Sequence, residues 1–288
     1  AALLTRKLRA GHIPPLELSA EQSRTLSERV LQRLLEENQF NVIQKLAGCL
    51  GVIMEHHHGF VHIDRIFALA NSEHLRQRYA CMITLASISE TSPDPPDPER
   101  VIQAIRVVLA AQREASVIHS AAAELWSQHM DIPSASSLLA PIMAALTMEL
   151  NAGQEETARA MLENISTAAA SIGKSFRPML DNTVQLLMTV AGSNAENLTR
   201  TAAVGVLCEL AENEPKMMQR CPSFMNNIFQ LALSLMLLDR ETPEQLAAWA
   251  NPTVGEEQDD EDEEALYHTG NEVLDRVAIA IGGKRTAP

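Results

Sequence analysis

One apolar stripe at helical spacing recurs from end to end of this chain. Ile43, Leu46, Ala47, Leu50 and Met54 fall at i, i+3, i+4, i+7 and i+11, which is one face of a helix. The stripe returns at Tyr79, Met82, Ile83 and Ala86, at Val101, Ala104, Ile105 and Val108, and at Leu139, Ile142, Met143 and Leu146. Further along it is carried by Leu180, Val184, Leu187, Met188 and Ala191, by Ala203, Val206, Leu207, Leu210 and Ala211, and by Ile228, Leu231, Ala232 and Leu235. No segment sustains the alternation of a half-buried strand. Aromatics at 3% of 288 residues, with few β-branched runs, argue equally against a sandwich or barrel. The chain is predicted to be all-α.

Start signals punctuate the stripes. Ser19 with Gln22 makes a capping box, each side chain satisfying an orphan N–H of the first turn. Asp97-Pro98 and Thr242-Pro243 set a capping side chain before a proline at the first helical position, where a missing N–H costs nothing. Thr91-Ser92-Pro93-Asp94-Pro95-Pro96-Asp97-Pro98 cannot be helical inside and links two helical units. Long helix, short turn, long helix and a new cap then recur with a period near 40 residues, the signature of HEAT or armadillo-type solenoids. The other arrangement these stripes allow is a non-repeating bundle.

We expect one α-solenoid of HEAT repeats over 1–288, stacked antiparallel helix pairs in a right-handed superhelical arch. The pairs are placed at about 19–57, 60–90, 97–131, 134–173, 175–214 and 216–288, with residues 1–11 the remnant of a truncated repeat. An insertion at about 239–269 delays the last second helix to about 270. Several second helices carry a cation two places before an alanine (Lys45/Ala47, Arg78/Ala80, Arg200/Ala202, Arg276/Ala278), where the cation could bridge to the next repeat.

Charge narrows the function classes. With 23 Lys+Arg against 37 Asp+Glu the formal net charge is −14, which argues against direct binding of nucleic acid. Much of it sits in the insertion, at Glu256, Glu257, Asp259, Asp260, Glu261, Asp262, Glu263 and Glu264. Such a run reads as a solvated loop, either a bland linker or an attractor of a basic surface. It lacks the spacing of a calcium loop. The most apolar stretch, 228–238, is too short to cross a membrane. Cys49, Cys81, Cys208 and Cys221 lie far apart and read as reduced residues. The chain opens on Ala1-Ala2-Leu3-Leu4 with no signal-peptide architecture and closes on Lys284-Arg285-Thr286-Ala287-Pro288; both ends read as cuts, so we expect a fragment.

No cofactor, metal site or catalytic residue is predicted. His56-His57-His58 and His62 have no Cys or acidic partner at ligand spacing and read as helix C-terminal histidines. Gly282-Gly283-Lys284 lacks the spacing of a phosphate loop and reads as a helix C-cap. The sequons at Asn164 and Asn197 sit in helical segments. There is no nucleophile elbow, no HExxH and no recognisable carboxylate pair, which leaves the chain without an enzyme reading.

Trp249-Ala250-Asn251, the acidic run, Leu274-Asp275-Arg276 and Gly282-Gly283-Lys284, in that order, resemble the acidic-loop repeat of the importin-beta (karyopherin-beta) family. Phe176-Arg177-Pro178 with Leu180 and Gln185-Leu186 resembles the same family, as does Ala1 to Leu8. The resemblance implies a nuclear transport receptor several times this length, shuttling between cytoplasm and nucleus. Its implied partners are cargo proteins with basic nuclear localisation signals, FG-repeat nucleoporins and Ran-GTP, which releases cargo. By the same resemblance the acidic run would face basic Ran or cargo. The second helices around 41–54 and 75–89 would line part of the Ran face. Leu139, Met143, Leu180 and Leu187 would form convex slots for Phe side chains, with plain core as their other reading. Trp249 would anchor the loop base or touch cargo. The competing function is a non-transport HEAT scaffold, such as a phosphatase-type regulatory subunit, which calls for no acidic insertion.

Overall fold

The computed structural model describes residues 19–56, 62–92, 95–110, 116–238 and 261–282, and among them every regular element is a helix. The predicted remnant at 1–11, Thr242-Pro243 and Trp249 lie outside the described residues. The chain divides into two units, Ala1–Thr157 and Ala158–Pro288.

The first unit holds α1 (Ala20–Glu36), α2 (Phe40–His56), α3 (Ile63–Ala68), α4 (Leu75–Thr91), α5 (Pro98–Ala110), α6 (Ser116–Ser127) and α7 (Leu139–Asn151). Short 3-10 turns follow α3 (Leu69–Asn71) and precede α7 (Pro133–Leu138). Helix α1 starts where the capping box places it: Gln22 N–H donates to Ser19 Oγ at 3.2 Å, and Ser19 N–H to Gln22 Oε1 at 2.9 Å. Asp97 caps α5 in the same way, accepting from Glu99 N–H at 3.1 Å. Helices α2, α4 and α6 lie side by side as one row, and α5 packs on the two 3-10 turns and α7 as the other. Helix α4 is central: Tyr79 through Ala86 and Ile88 are all buried, so its stripe has widened to nearly the whole circumference. Gly51 lets α2 approach it, since a Cβ there would stand 2.9 Å from the Ser87 carbonyl oxygen. Trp126, fully buried, donates its indole N–H to the Ala135 carbonyl at 2.9 Å and pins the turn before α7.

The second unit holds almost all of α8 (Glu155–Ile172), then α9 (Leu180–Ala191), α10 (Asn197–Asn213), α11 (Pro215–Met218), α12 (Pro222–Leu238) and α13 (Glu261–Ile281). A 3-10 stretch, Gly173–Met179, leads into α9 and is anchored by the fully buried Phe176. Here α9 packs on α12 and α10 on α13, first helix on first and second on second, while α9–α10 and α12–α13 close the two pairs. Gly270 is the contact point of the last pair: a Cβ would meet the Ala232 carbonyl oxygen at 2.6 Å. Gly282, at φ +86, ends α13 as the predicted C-cap, its N–H reaching Ala278 O at 3.1 Å.

The repeat period appears directly in the side-chain bonds. His62–Glu28, Arg76–Asn38, Arg100–Asp64, Ser134–Glu99 and Ser89–His129 in the first unit, and Gln185–Ser223 in the second, join residues 34, 38, 36, 35, 40 and 38 apart. Each is a rung between equivalent positions of neighbouring pairs, as a solenoid requires.

Two expectations change. The first helix of the second pair is one short helix and a 3-10 turn rather than a long helix, because Ser72 leaves the helix in an extended conformation and accepts the N–H of His74 instead. The insertion is shorter than predicted: α13 begins at Glu261, not near 270, so positions 261–269 of the expected loop are helical. Residues 261–264 are therefore the first turn of a helix rather than loop. Burial of Leu266, Thr269, Gly270, Val273 and Val277 one turn later carries the helix back to that start.

Candidate partner-binding face

The second helices carry acids in both units. In the first, Glu90 on α4 and Glu124 on α6 stand 34 positions apart, one repeat, on adjacent helices of the row. Crowding by the protein pushes the Glu124 carboxyl above the usual carboxylate range, and the charge of Glu90 pushes it further. The Tyr79 hydroxyl beside them is raised by burial and by Glu124; its ring meets Phe40 edge-on, centroids 5.0 Å apart. A carboxyl raised in this way, as at Glu124, marks under-compensated negative charge.

In the second unit, Arg276 on α13 reaches α10. Its Nε and Nη2 donate to the two oxygens of Glu212 at 2.6 and 2.8 Å, its Nη2 also to Glu209 at 2.9 Å, and its Nη1 to Glu272 at 3.3 Å. The hydrogen bonds from Arg276 hold the Glu212 carboxyl below its ordinary range, and the same bonds raise the guanidinium further. Three carboxylates surround one cation, so the cluster stays negative. Arg276 is the cation of the fourth basic-alanine pair, and it does bridge to the neighbouring repeat. Arg200 instead donates to the Ala191 carbonyl at 3.0 Å inside its own pair, and Arg78 to the Ser72 carbonyl at 2.6 Å.

Residues 192–288, which contain α10 to α13, match the importin repeat family. This stretch is similar to an importin repeat. Over 151 residues the chain is 24% identical to importin subunit beta-3 of Saccharomyces cerevisiae, covering 52% of this chain and 14% of that protein. The crystal structure of Kap121p aligns with 99% of this chain at a TM-score of 0.78 and 19% identity. Kap121p bound to Nup53p gives 0.77 at 18% identity. The importin-beta likeness read from the sequence is borne out, and with it the HEAT-repeat solenoid. The chain spans 28% of the length of Kap121p.

Within the stretch that matches the importin repeat family, residues 261–264 begin α13, while Glu256, Glu257, Asp259 and Asp260 lie outside the described residues, as does Trp249. The four hydrophobic positions fare differently. Leu139, Met143 and Leu187 are buried, so as packed core they have no face to offer a Phe ring; Leu180 is half-buried. Their stripe is the one that builds each pair. Exposed apolar side chains lie instead at Leu233 and Leu237 of α12, at 52% and 53%. Their signal was present: two leucines at i and i+4, off the buried stripe of Ile228, Leu231, Ala232 and Leu235. Glu209 and Glu212 were equally legible as an i, i+3 pair facing Arg276.

Among the described residues no group of three His, Cys, Asp or Glu could hold a metal ion, and no helix is long and apolar enough to cross a membrane. The four cysteines are buried and, among the described residues, form no disulfide; burial pushes the Cys81 and Cys208 thiols up to about 12, which makes them protonated packing groups at neutral pH.

Proposed function

We infer that the chain is part of a nuclear import receptor that binds basic cargo, FG-repeat nucleoporins and Ran-GTP, shuttling between cytoplasm and nucleus and acting by binding rather than catalysis. The observation that carries this reading is the acidic row on the second helices of a solenoid that aligns along its length with Kap121p. Glu90 and Glu124 in one unit, and Glu209, Glu212 and Glu272 in the other, supply negative charge, to which the run at 256–264 adds. Kap121p has been solved bound to Nup53p and to Pho4p, which supports nucleoporin and cargo partners by likeness. For the nucleoporin contact, the exposed Leu233 and Leu237 replace the buried leucines as the candidate surface.

A stack of hairpins changes curvature by small rotations between repeats. Two ligands favouring different curvatures oppose each other through a coupling free energy, and Ran-GTP would release cargo in this way. The test is retention of a lysine-rich localisation peptide on the immobilised chain, followed by elution with Ran. The reading expects GTP-loaded Ran to release the peptide and GDP-loaded Ran to leave it bound. Release indifferent to the nucleotide would favour a scaffold.

A further inference from the structure

In a chain of formal charge −14, four cations converge on one cavity. Lys174, Arg177, Lys216 and Arg220 line a concavity of about 280 Å³ in the second unit, with Glu214 and Met217 completing the wall. The cavity lies between two connections, Gly173–Met179 before α9 and the stretch around α11 after α10.

Local geometry aims these side chains. Lys174 and Arg177 are three apart in a 3-10 helix, where residues at i and i+3 eclipse on one face. Phe176, fully buried between them, fixes the turn so that both cations point out of the core. Lys216 stands on the short helix Pro215–Met218 and Arg220 in the turn just after it, where its N–H donates to the Met217 carbonyl at 3.1 Å; the buried Met217 and Met218 hold this stretch down, and both cations line the cavity. Among the described residues, no ion pair ties any of the four to a carboxylate. Glu214 is the one acid in the wall, its stem packed over Gly173, where a Cβ would stand 2.9 Å from its Cγ. Other connections between helix pairs are built oppositely: residues 92–97 carry two Asp and 128–138 one Asp, and neither carries Lys or Arg. In these pair-to-pair connections Lys and Arg gather instead in the two neighbouring turns that line the cavity.

We propose that this cavity is a binding site for a compact soluble polyphosphate, an anion with several phosphate groups on a small scaffold. Four cations from two rigid turns can each meet a different phosphate oxygen, as charge-assisted hydrogen bonds do best. Its size suits a small polyanion rather than a folded partner. Glu214 faces the same space and opposes the anion, which limits retention of singly charged species.

The experiment is calorimetric titration of the whole chain, at fixed ionic strength, with inositol hexakisphosphate, with inorganic phosphate and with a doubly phosphorylated acidic peptide. Vesicles carrying phosphatidylinositol bisphosphate form a fourth arm. The expected result is saturable one-to-one binding of inositol hexakisphosphate, and weak or no binding of inorganic phosphate. K216Q and R220Q should each weaken that binding about tenfold, the cost of one charged contact, while E214Q strengthens it. The control R29Q, on α1 of the first unit and not among the residues lining the cavity, should leave it unchanged. Equal loss in R29Q and R220Q, no gain in E214Q, or binding confined to the peptide or the vesicles would overturn the site. All of these substitutions lie on surface side chains, and circular dichroism of each variant checks the fold.

Discussion

His119 Nδ1 and Glu149 Oε1 stand 2.5 Å apart between α6 and α7, both residues about 4% exposed. The second carboxylate oxygen of Glu149 has no partner among the described atoms. A buried acid held by one neighbour depends on that neighbour, so His119→Ala should destabilise the chain by about 3 kcal/mol. The double replacement His119→Leu with Glu149→Leu should cost less than the single change, because it removes the stranded charge together with its partner. Urea unfolding of both variants measures this, and a double variant less stable than H119A would refute it.

Arg276 makes the tie between α10 and α13 depend on pH. Glu212 is held below its ordinary value of 4.5, so its contribution is fully present above that value and is lost as pH falls through the lower, folded one. R276Q should lower the melting temperature at neutral pH, by an amount that high salt reduces. Its deficit relative to the unmodified chain should close as the pH falls through the lowered, folded value of Glu212. A deficit independent of pH would mean that the guanidinium acts by packing alone.

What the sequence displayed, and what it hid, divides along the range of the interaction. The capping box of Ser19 and Gln22, the cap at Asp97 and the glycine at 282 are decided within a few residues, and they stand as read. The repeat period was legible because every rung joins equivalent positions. Hidden were the features decided across repeats. Leu139 and Met143 on α7 and Leu187 on α9 sit on stripes the sequence displays, but that these stripes leave no slot for a Phe ring is decided by the neighbouring helices that bury them. The start of α13 at Glu261 depends on the burial of Leu266, Thr269 and Val273 against neighbouring helices, which a run of acids does not display. The cations at Lys174, Arg177, Lys216 and Arg220 lie in two separate turns that only the stacking of pairs brings to one cavity.

Glycines at close helix contacts offer a test of that stacking. Gly270→Ala places a Cβ 2.6 Å from the Ala232 carbonyl oxygen, so α13 must lift from α12, at a cost of about 2 kcal/mol. Gly205→Ala on α10 meets nothing within 4 Å and should instead stabilise by about 0.5–1 kcal/mol through helix propensity. Thermal melts of the two variants should therefore move in opposite directions. A shift of the same sign in both would show that the approach at Gly270 is not a tight one.

The acidic run predicts a rate effect. Replacing Glu256, Glu257, Asp259, Asp260, Glu261, Asp262, Glu263 and Glu264 by Asn or Gln should slow association with a lysine-rich peptide at low salt and leave it nearly unchanged at high salt. Stopped-flow measurements across a salt series read this directly. An unchanged salt dependence would remove the run from the binding face.

Glu124 links stability to binding in one residue. Its carboxyl is raised by burial first and by Glu90 second, so the charged form costs the folded state free energy at neutral pH. That cost is present above the raised, folded value and is relieved as pH falls through it. Glu124→Gln should therefore raise the melting temperature at pH 7, with the gain vanishing once the carboxyl is protonated in the unmodified chain as well. If the acids of α4 and α6 meet a basic partner, the same substitution should weaken binding of a lysine-rich peptide while it stabilises the fold. A variant that gains stability and keeps its full affinity would leave Glu124 as a strained surface acid outside the partner face.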